Sequence, residues 1–403
     1  MRASAVLQKC LPESLAPMHA LRERTLLRAV EALIQGRRLT LTDVARSWPD
    51  AERVRPPLKA FDRLLGNRHL AHERESIDRE MARWLLRGPQ PIIVIDWADL
   101  KADKSWCLLR AAVPVGGRTL TLLDMVFPGK EQGSPKAEKR FLQRLHALMP
   151  DGVRPILVTD AGFRTPWFRA IEARGWHWLG RLRGWTRVKP LDVEDHPEQW
   201  VDCRQLHVLA SQAAARELPL MQANRSDPIS CRLVVYAKPP RGRKHLTLQG
   251  DVARNSYSRK VAAREREPWL IICSPDLSAP SARQLVNLYA RRMQIESSFR
   301  DLKSHRYGQG FEDNLTRSGS RLQILLLVGT LASFASWLAG LGCEATGIAQ
   351  WLMPVRSKRK LYSTLRVGRE ALVRNWPMEP VSRWLDRLRS LPKDVLDQMV
   401  LQA

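Results

Sequence analysis

Apolar residues recur at helical spacing through the first 88 residues. The segment HALRERTLLRAVEALIQG carries an apolar stripe and stops at Gly36, a typical residue at the end of a helix. TLTDVARSW follows, with Thr42 as the predicted N-cap. PPLKAFDRLLGN then begins on prolines and stops at Gly66. The pattern predicts a small helical bundle that contains a loose helix-turn-helix.

From residue 91 the pattern changes to β-branched runs that are typical of strands. The pair Gly116-Gly117 separates two such runs and predicts a two-residue hairpin. The predicted elements are strands at 91–97, 105–115 and 118–127, a helix at 134–150, a strand at 154–160, a helix at about 166–174 and a strand at 176–184. Three antiparallel strands, a helix and a strand-helix-strand unit are the order expected of an RNase H-like α/β domain.

The remainder alternates between polar and apolar segments. Residues 185–265 are polar with β-like pieces such as 229–238, and 238–260 is dense in Arg and Lys. That basic stretch fits either a solvated loop or a phosphate-binding arm. WLIICS (269–274) predicts a strand, and 278–305 predicts one long helix capped near Ser278 or Ser281. The rest is mostly helical, with a basic run at 355–369.

One segment, 322–341, is nearly uncharged and long enough to span a bilayer. Its Gln, Thr and Ser residues, in a chain with no second such segment, favour a buried helix and no membrane association.

These patterns predict an α/β protein whose RNase H-like core, a mixed sheet with helices, is interrupted by a largely β insertion and flanked by helical regions. The predicted segments are a helical domain at 1–88, the first part of the core at 89–184, the β-rich insertion at 185–265, the second part of the core at 266–310 and a helical region at 311–403.

The charge of the chain points to a polyanionic partner. Lys and Arg total 66 against 41 Asp and Glu, which gives a formal charge of +25. A folded protein this basic usually meets nucleic acid, although a merely basic housekeeping enzyme has the same composition. The six cysteines include no CxxC pair, which indicates reduced, buried thiols. The histidines show no spacing that is typical of a zinc site. No signal peptide is visible at the N-terminus, and we expect a cytoplasmic protein.

Three carboxylates stand out by position. Asp96 and Asp160 end two apolar strands, where a carboxylate is either exposed or paired with a cation. On the predicted long helix, four polar residues share one arc of about 60° beside an apolar stripe. They are Tyr289, Arg292, Glu296 and Lys303. An ordinary amphipathic helix explains an Arg–Glu pair on its solvent face, but it does not predict Tyr289 there.

Other carboxylates compete with these three. Asp99 and Asp103 follow Asp96 closely, Asp124 ends a strand, and Asp301 points well away from Glu296 on the helical wheel. Asp99 is the strongest rival because it could face the same sheet edge. We prefer Asp96 because it directly follows the apolar run.

The spacing Tyr289-x2-Arg292-x3-Glu296-x6-Lys303, preceded by Asp96 and Asp160, resembles the Y-R-E-K signature of the IS-four group of bacterial insertion-sequence transposases. The resemblance implies an RNase H-like DDE transposase in which Asp96, Asp160 and Glu296 bind two Mg²⁺ ions, for which Mn²⁺ could substitute. It also implies that Arg292 and Lys303 hold phosphates and that Tyr289 hydrogen-bonds a phosphate oxygen.

Trp269 opens the last predicted strand, 20 residues before Tyr289. The resemblance implies that this tryptophan stacks on a base flipped from the DNA end, whereas a core role is the alternative.

The implied reaction is cut-and-paste transposition of an insertion sequence. Its partners would be double-stranded DNA, both terminal inverted repeats and target, and a second copy of the chain; its place would be the bacterial cytoplasm, at the nucleoid. Two other functions need the same sequence features only in part. An RNase H-fold nuclease without joining activity needs the three carboxylates alone, and an inactive DNA-binding regulator needs only the positive charge.

Overall fold

A computed structural model describes residues 1–192, 194, 196–239, 242, 246, 251–306, 308–352 and 360–401. The chain divides into two compact units. The first unit joins Met1–Val153 to Met293–Gln402, and the second unit is Arg154–Arg292. Part of the basic stretch at 238–260, and the start of the basic run at 355–369, lie outside the described residues.

The elements are numbered in chain order. The helices are α1 (Ala3–Cys10), α2 (Pro12–Leu15), α3 (Ala20–Gly36), α4 (Leu41–Arg46), α5 (Arg55–Leu65), α6 (Arg68–Leu85), α7 (Pro135–His146), α8 (Thr165–Glu172), α9 (Ser256–Ala263), α10 (Ala282–Arg291), α11 (Met293–Lys303), α12 (Gly319–Ala345), α13 (Thr364–Val373), α14 (Glu379–Arg387) and α15 (Lys393–Met399). The strands are β1 (Ile92–Asp99), β2 (Trp106–Pro114), β3 (Thr119–Pro128), β4 (Ile156–Val158), β5 (His177–Leu182), β6 (Arg187–Pro190), β7 (Val201–Asp202), β8 (Arg216–Glu217), β9 (Met221–Ala223), β10 (Ile229–Tyr236) and β11 (Trp269–Cys273).

The N-terminal region is helical, as its periodicity predicts. Helix α3 ends at Gly36 and α5 ends before Gly66, so both predicted stops are confirmed. The predicted cap of α4 is wrong by two residues. Thr40, in an extended conformation, accepts a hydrogen bond from the Asp43 amide at 3.1 Å, and Thr42 already lies inside the helix.

Strands β1, β2 and β3 form the predicted antiparallel meander. Gly116 and Gly117 make the β2–β3 turn with φ of 81° and 91°, angles that suit the right-handed twist of a hairpin and that other residues rarely adopt. Strand β1 is longer than predicted. Its pairing with β2 continues to Asp99↔Cys107, so Asp96 lies inside the strand and not at its end.

Helix α12 is the core of the first unit. It packs against β3, α1, α3, α13 and α14, and it is the described helix long and apolar enough to cross a membrane. In its most apolar stretch 89% of the residues are buried within the protein, which is consistent with the predicted core helix. Close contact between α12 and α13 requires two glycines. A Cβ atom on Gly368 would lie 1.8 Å from the Ser336 carbonyl oxygen, and one on Gly340 would lie 2.0 Å from the Thr364 oxygen.

The second unit is built on a mixed sheet in the order β4-β5-β11-β10-β9-β6-β7, with β8 beside β10. Strands β4 and β5 are parallel and joined by α8, whereas the other pairs are antiparallel. The segment predicted as largely β supplies β6 to β10, but it also contains α9 and a 3₁₀ helix at Cys203–Leu209. All six cysteines are buried and free, as predicted.

The predicted single helix over 278–305 is two helices. Ser281, one of the two predicted caps, starts α10 and forms a capping box with Gln284. At the junction the Arg292 amide donates to the Tyr289 carbonyl at 3.1 Å, an i→i−3 bond that tightens the turn before α11 begins. The helical wheel was drawn for one continuous helix, so the shared arc of the four polar residues stays a prediction.

Candidate active site

Asp96, in the first unit, lies in a row of charged residues across three strands. It pairs in register with Arg110, which pairs with Asp124, so the three side chains project from one face of the sheet. Arg110 and Asp124 are buried and joined by two hydrogen bonds of 2.7 Å each. That ion pair fixes the middle of the row. Asp96 beside it is only partly buried, and its Oδ1 accepts a hydrogen bond from the Trp97 amide at 2.9 Å.

Asp99, the strongest rival to Asp96, projects from the opposite face of the same strand. Side chains alternate along a strand, and Asp99 is three residues further on, in register with Cys107. Cys107 pairs with Phe127, which packs against Trp97 and the Arg140 guanidinium of α7. Asp96 and Asp99 therefore face different layers, and the sheet separates the two carboxylates.

Helix α11 covers the face that carries Asp96. The Arg110 guanidinium lies 5.4 Å from the ring centre of Phe299. The Ser298 hydroxyl accepts a hydrogen bond from the Thr119 amide at 2.9 Å, and Arg118 forms an ion pair with Asp301. These contacts anchor the helix to the β2–β3 hairpin.

Glu296 stands on α11 one turn before Phe299. Its side chain is exposed, whereas Ile295, Phe299 and Leu302 anchor the helix in the core. Lys303 is seven residues after Glu296, and this spacing returns to the same side of a helix after two turns. The first unit thus brings Asp96 and Glu296 to one face of one sheet, with Lys303 on the same helix. The rival Asp301 is engaged with Arg118 at the hairpin.

Asp160 lies in the second unit, two residues beyond the end of β4. The Thr159 amide still bonds to the Leu179 carbonyl of β5, at 2.9 Å, so the sheet fixes the backbone just before Asp160. The Asp160 Oδ1 accepts a hydrogen bond from the Gly162 amide at 2.8 Å. This turn leads into α8 and leaves the carboxylate half-exposed. Asp160 therefore has the strand-end position that the sequence predicts.

Three more predicted site residues, also in the second unit, lie close together. The rings of Trp269 and Tyr289 meet edge to face, with centres 5.1 Å apart and planes at 79°. Tyr289 is buried and hydrogen-bonded to Arg292. Burial raises the pKa of Tyr289, the guanidiniums of Arg292 and Arg181 oppose the rise, and the Asp160 carboxylate adds to it. Tyr289 therefore lies within the electrostatic reach of Asp160.

Two arginines that the sequence analysis missed extend this cluster. Arg181 and Arg183 both approach the Glu267 carboxylate, at 3.4 and 2.6 Å. Arg181 also donates to the Pro268 carbonyl at 3.1 Å, and burial lowers its pKa. The signal was present in WLGRLRG, where arginines alternate with apolar residues in a strand next to β11.

Trp269 is buried, and its ring contacts both Tyr289 and the Lys238 ammonium, which lies 5.0 Å from the ring centre. This placement accords with the core role that the sequence left open. Only 7% of the Trp269 surface reaches solvent.

The carboxylates have the chemistry of a magnesium site. Oxygen donors are the ligands that Mg²⁺ prefers, and Asp96, Asp160 and Glu296 all reach solvent. Within the described parts of the chain, however, no three or more His, Cys, Asp or Glu side chains are grouped so as to hold a metal ion. The role of the three carboxylates as joint ligands therefore remains a prediction.

Comparison with known protein families identifies a matching family model. The family model described as a transposase DDE domain matches residues 87–334, which is more than half of the chain. The matched range includes all seven predicted site residues. No curated protein matches the chain.

Proposed function

Since the chain belongs to the family of transposases with a DDE domain, we propose that it catalyses cut-and-paste transposition of an insertion sequence. Asp96, Asp160 and Glu296 are the proposed metal ligands. The observation that carries this assignment is the placement of Asp96 on the sheet face covered by α11, the helix that presents Glu296. The family match supports a DNA-acting transposase with divalent-metal chemistry.

Two Mg²⁺ ions, when bound, would activate a water or a 3′-hydroxyl and stabilise the leaving oxygen. The chain's own residues position the DNA. Lys303 on α11 and Arg292 at the helix junction would hold phosphates of the transferred strand. Tyr289, oriented by its hydrogen bond to Arg292, would present its hydroxyl to a phosphate oxygen. Because burial raises the pKa of Tyr289, this hydroxyl stays protonated and can donate.

The proposed sequence of reactions is nicking at the terminal inverted repeat, hairpin formation, hairpin opening and strand transfer into target DNA. Hairpin formation requires a tight bend in the DNA, which a flipped base stacked on Trp269 would relieve. In this structure Trp269 is packed against Tyr289 and Lys238, so we propose that DNA binding opens the stacking face.

We also propose a closer kinship within this family. The Y-R-E-K spacing supports membership of the IS-four group, and stretches such as VIDWADL and RMQIESSFRDLKS are similar to the transposase of the Tn-ten element. An RNase H-like core at 89–184 and 266–310, an inserted β-rich segment and helical DNA-end-binding residues 1–88 would follow from that kinship. A homodimer that holds two DNA ends in the bacterial cytoplasm would follow as well.

An end-cleavage assay tests the proposal. The purified protein is incubated with a labelled duplex that carries the element's own end, with Mg²⁺ or with EDTA. The test variant is Glu296→Ala, and the control is Asp301→Asn on the same helix. A Mg²⁺-dependent hairpin that Glu296→Ala loses and Asp301→Asn keeps would support the proposal. Nicks without hairpins would favour the nuclease without joining activity, and bound but uncut DNA would favour the inactive regulator.

A further inference from the structure

Trp185, at the turn after β5, is a tryptophan with its ring in solvent. It is 79% exposed, although the other tryptophans of the second unit that carry ring contacts pack into the protein. One face of its ring is covered by the Arg204 guanidinium, which lies 3.6 Å from the ring centre. A separation of 3.6 Å is direct stacking contact, so the opposite face of the ring is the one that solvent reaches.

Arg204 is itself held in place by Asp202. Its Nε and Nη2 atoms donate to the two carboxylate oxygens of Asp202 at 3.0 and 2.7 Å. Asp202 also caps the 3₁₀ helix at Cys203–Leu209 by accepting from the Arg204 amide at 2.9 Å. A bidentate pair of this kind fixes the plane of the guanidinium. The indole therefore rests on a backing that is already ordered.

This stacked pair adjoins the arginine cluster of the candidate site. Trp185 follows Arg183 by two residues, and Arg183 bonds to Glu267. His207, in the same 3₁₀ helix as Arg204, lies within the electrostatic reach of Glu267, Arg181 and Arg204. The exposed ring is thus a continuation, on the surface of the second unit, of the group that contains Arg181 and Arg183.

We propose that the open face of Trp185 is a stacking platform for an unpaired nucleobase of single-stranded DNA. The inference rests on the proposed function, because strand exchange at a DNA end exposes unpaired bases. The charge of this unit favours nucleic acid over a protein as the partner of the ring. Residues 154–292 contain 24 Lys and Arg against 13 Asp and Glu. Every base has a π-face, so a rigid aromatic ring beside cations binds a single strand without reading its sequence.

The test measures DNA binding by the full-length protein in EDTA, so that no cleavage occurs. One probe is a labelled oligothymidine with a single internal 2-aminopurine, whose fluorescence falls when the base stacks. The other is a duplex of equal length. The variants are Trp185→Ala, Trp185→Phe and Arg204→Ala, and the control is Trp351→Ala, at a tryptophan of the first unit that is 61% exposed.

We expect Trp185→Ala to weaken single-strand binding about tenfold and to abolish the 2-aminopurine quenching, because the variant has no ring on which the base can stack. Duplex binding should be unchanged, Trp185→Phe should recover most of the affinity, and Arg204→Ala should fall between. The Trp351→Ala control should bind as the unmodified protein does. Circular dichroism of each variant checks the fold.

Three outcomes would overturn the proposal. One is unchanged single-strand affinity and quenching in Trp185→Ala. Another is an equal loss for duplex and single strand, which would indicate a phosphate contact. The third is a change in sedimentation without a change in DNA binding, which would make the ring a protein contact. Because the assay needs no metal, its outcome is independent of end cleavage. Failure of end cleavage with intact quenching would contradict only the proposed function. Normal end cleavage without quenching would contradict only the stacking platform.

Discussion

The candidate site residues of the two units differ in how they are exposed and held in place. In the first unit, Asp96 and Glu296 reach solvent from elements that are firmly packed, a paired strand and a helix anchored by Phe299. In the second unit, Tyr289 and Trp269 are buried in ring contact, and Arg181 and Arg183 share the Glu267 carboxylate. The first arrangement suits ligands for a cation that arrives from solvent. The second suits donors whose directions are fixed before a phosphate arrives.

The largest expected effect tests the carboxylates of the first unit. Glu296→Gln should lower Mg²⁺-dependent cleavage by about 10³-fold or more, because metal coordination supplies several kcal/mol of transition-state stabilisation. DNA affinity in EDTA should stay within about twofold, since Glu296 would contact metal and not DNA. Cleavage rates and filter-binding affinities measure the two effects. Equal losses in Asp301→Asn would remove the distinction between Glu296 and its neighbour.

A second prediction tests the rigidity of the first unit. Gly368→Ala would drive a methyl group into the α12 backbone at Ser336 and Gly340, so we expect a loss of about 3 kcal/mol or more in the free energy of unfolding. Gly66→Ala is the matched control. Its Cβ would meet nothing closer than Arg321 at 3.6 Å, and its change should stay below about 1 kcal/mol. Urea denaturation followed by circular dichroism compares them.

A third prediction uses Glu138, a carboxyl group of the first unit that is buried, in contrast to Asp96 and Glu296. Burial raises the pKa of Glu138 from its ordinary 4.5 to about 7, and nearby Trp97 partly opposes the rise. The folded state therefore binds a proton more tightly than the unfolded state, and this contribution to stability is lost as pH rises from about 4.5 to 7. Glu138→Gln should be more stable than the unmodified protein at pH 8, by about 3 kcal/mol at most.

The two proteins should be equally stable at about pH 4. Thermal unfolding across the pH range measures the difference. A constant difference at all pH values would show that Glu138 does not titrate in that window, and the contrast between buried and exposed carboxyl groups in the first unit would be lost.

The smallest expected effect concerns the second unit. Tyr289→Phe keeps the ring contact with Trp269 but removes the hydroxyl that bonds to Arg292. We expect end cleavage to fall about tenfold, the scale of one hydrogen bond, with no loss of Mg²⁺ dependence. A loss as large as that of Glu296→Gln would place Tyr289 in the chemical step and would weaken the division of roles between the units.

Local patterns predicted most of the fold because local chemistry decides it. The two glycines at 116 and 117 specify a turn, and the alternation and β-branching around them specify the meander. The break at Arg292 was not predictable, because a helical pattern continues across it and only the hydrogen bond to Tyr289 shows the change. The length of β1 was not predicted for a related reason. It is set by pairing with β2, a partner that apolar periodicity does not reveal.

The candidate site was predicted unevenly. Strand position favoured Asp96 over Asp99, and this choice stays a prediction. In the structure the two carboxylates differ in the face of the sheet that they occupy, and neither the length of β1 nor its end separates them. Arg181 and Arg183 escaped because their partner Glu267 is 84 residues beyond Arg183, and sequence spacing does not show such pairs. Trp185 escaped because exposure is a property of the folded surface alone.

The first unit is discontinuous, and this has a consequence for how the protein is made. Its N-terminal half, 1–153, packs around α12, which is complete only when the ribosome reaches Ala345, roughly 190 residues later. Synthesis proceeds at about 5–20 residues per second, so α12 is complete on the order of 10–40 s after the N-terminal segment that packs against it. A chain whose synthesis stops within the second unit can never complete the first unit. Interrupted translation would therefore leave fragments that contain Asp96 and Asp160 but have no core to hold Asp96 in place.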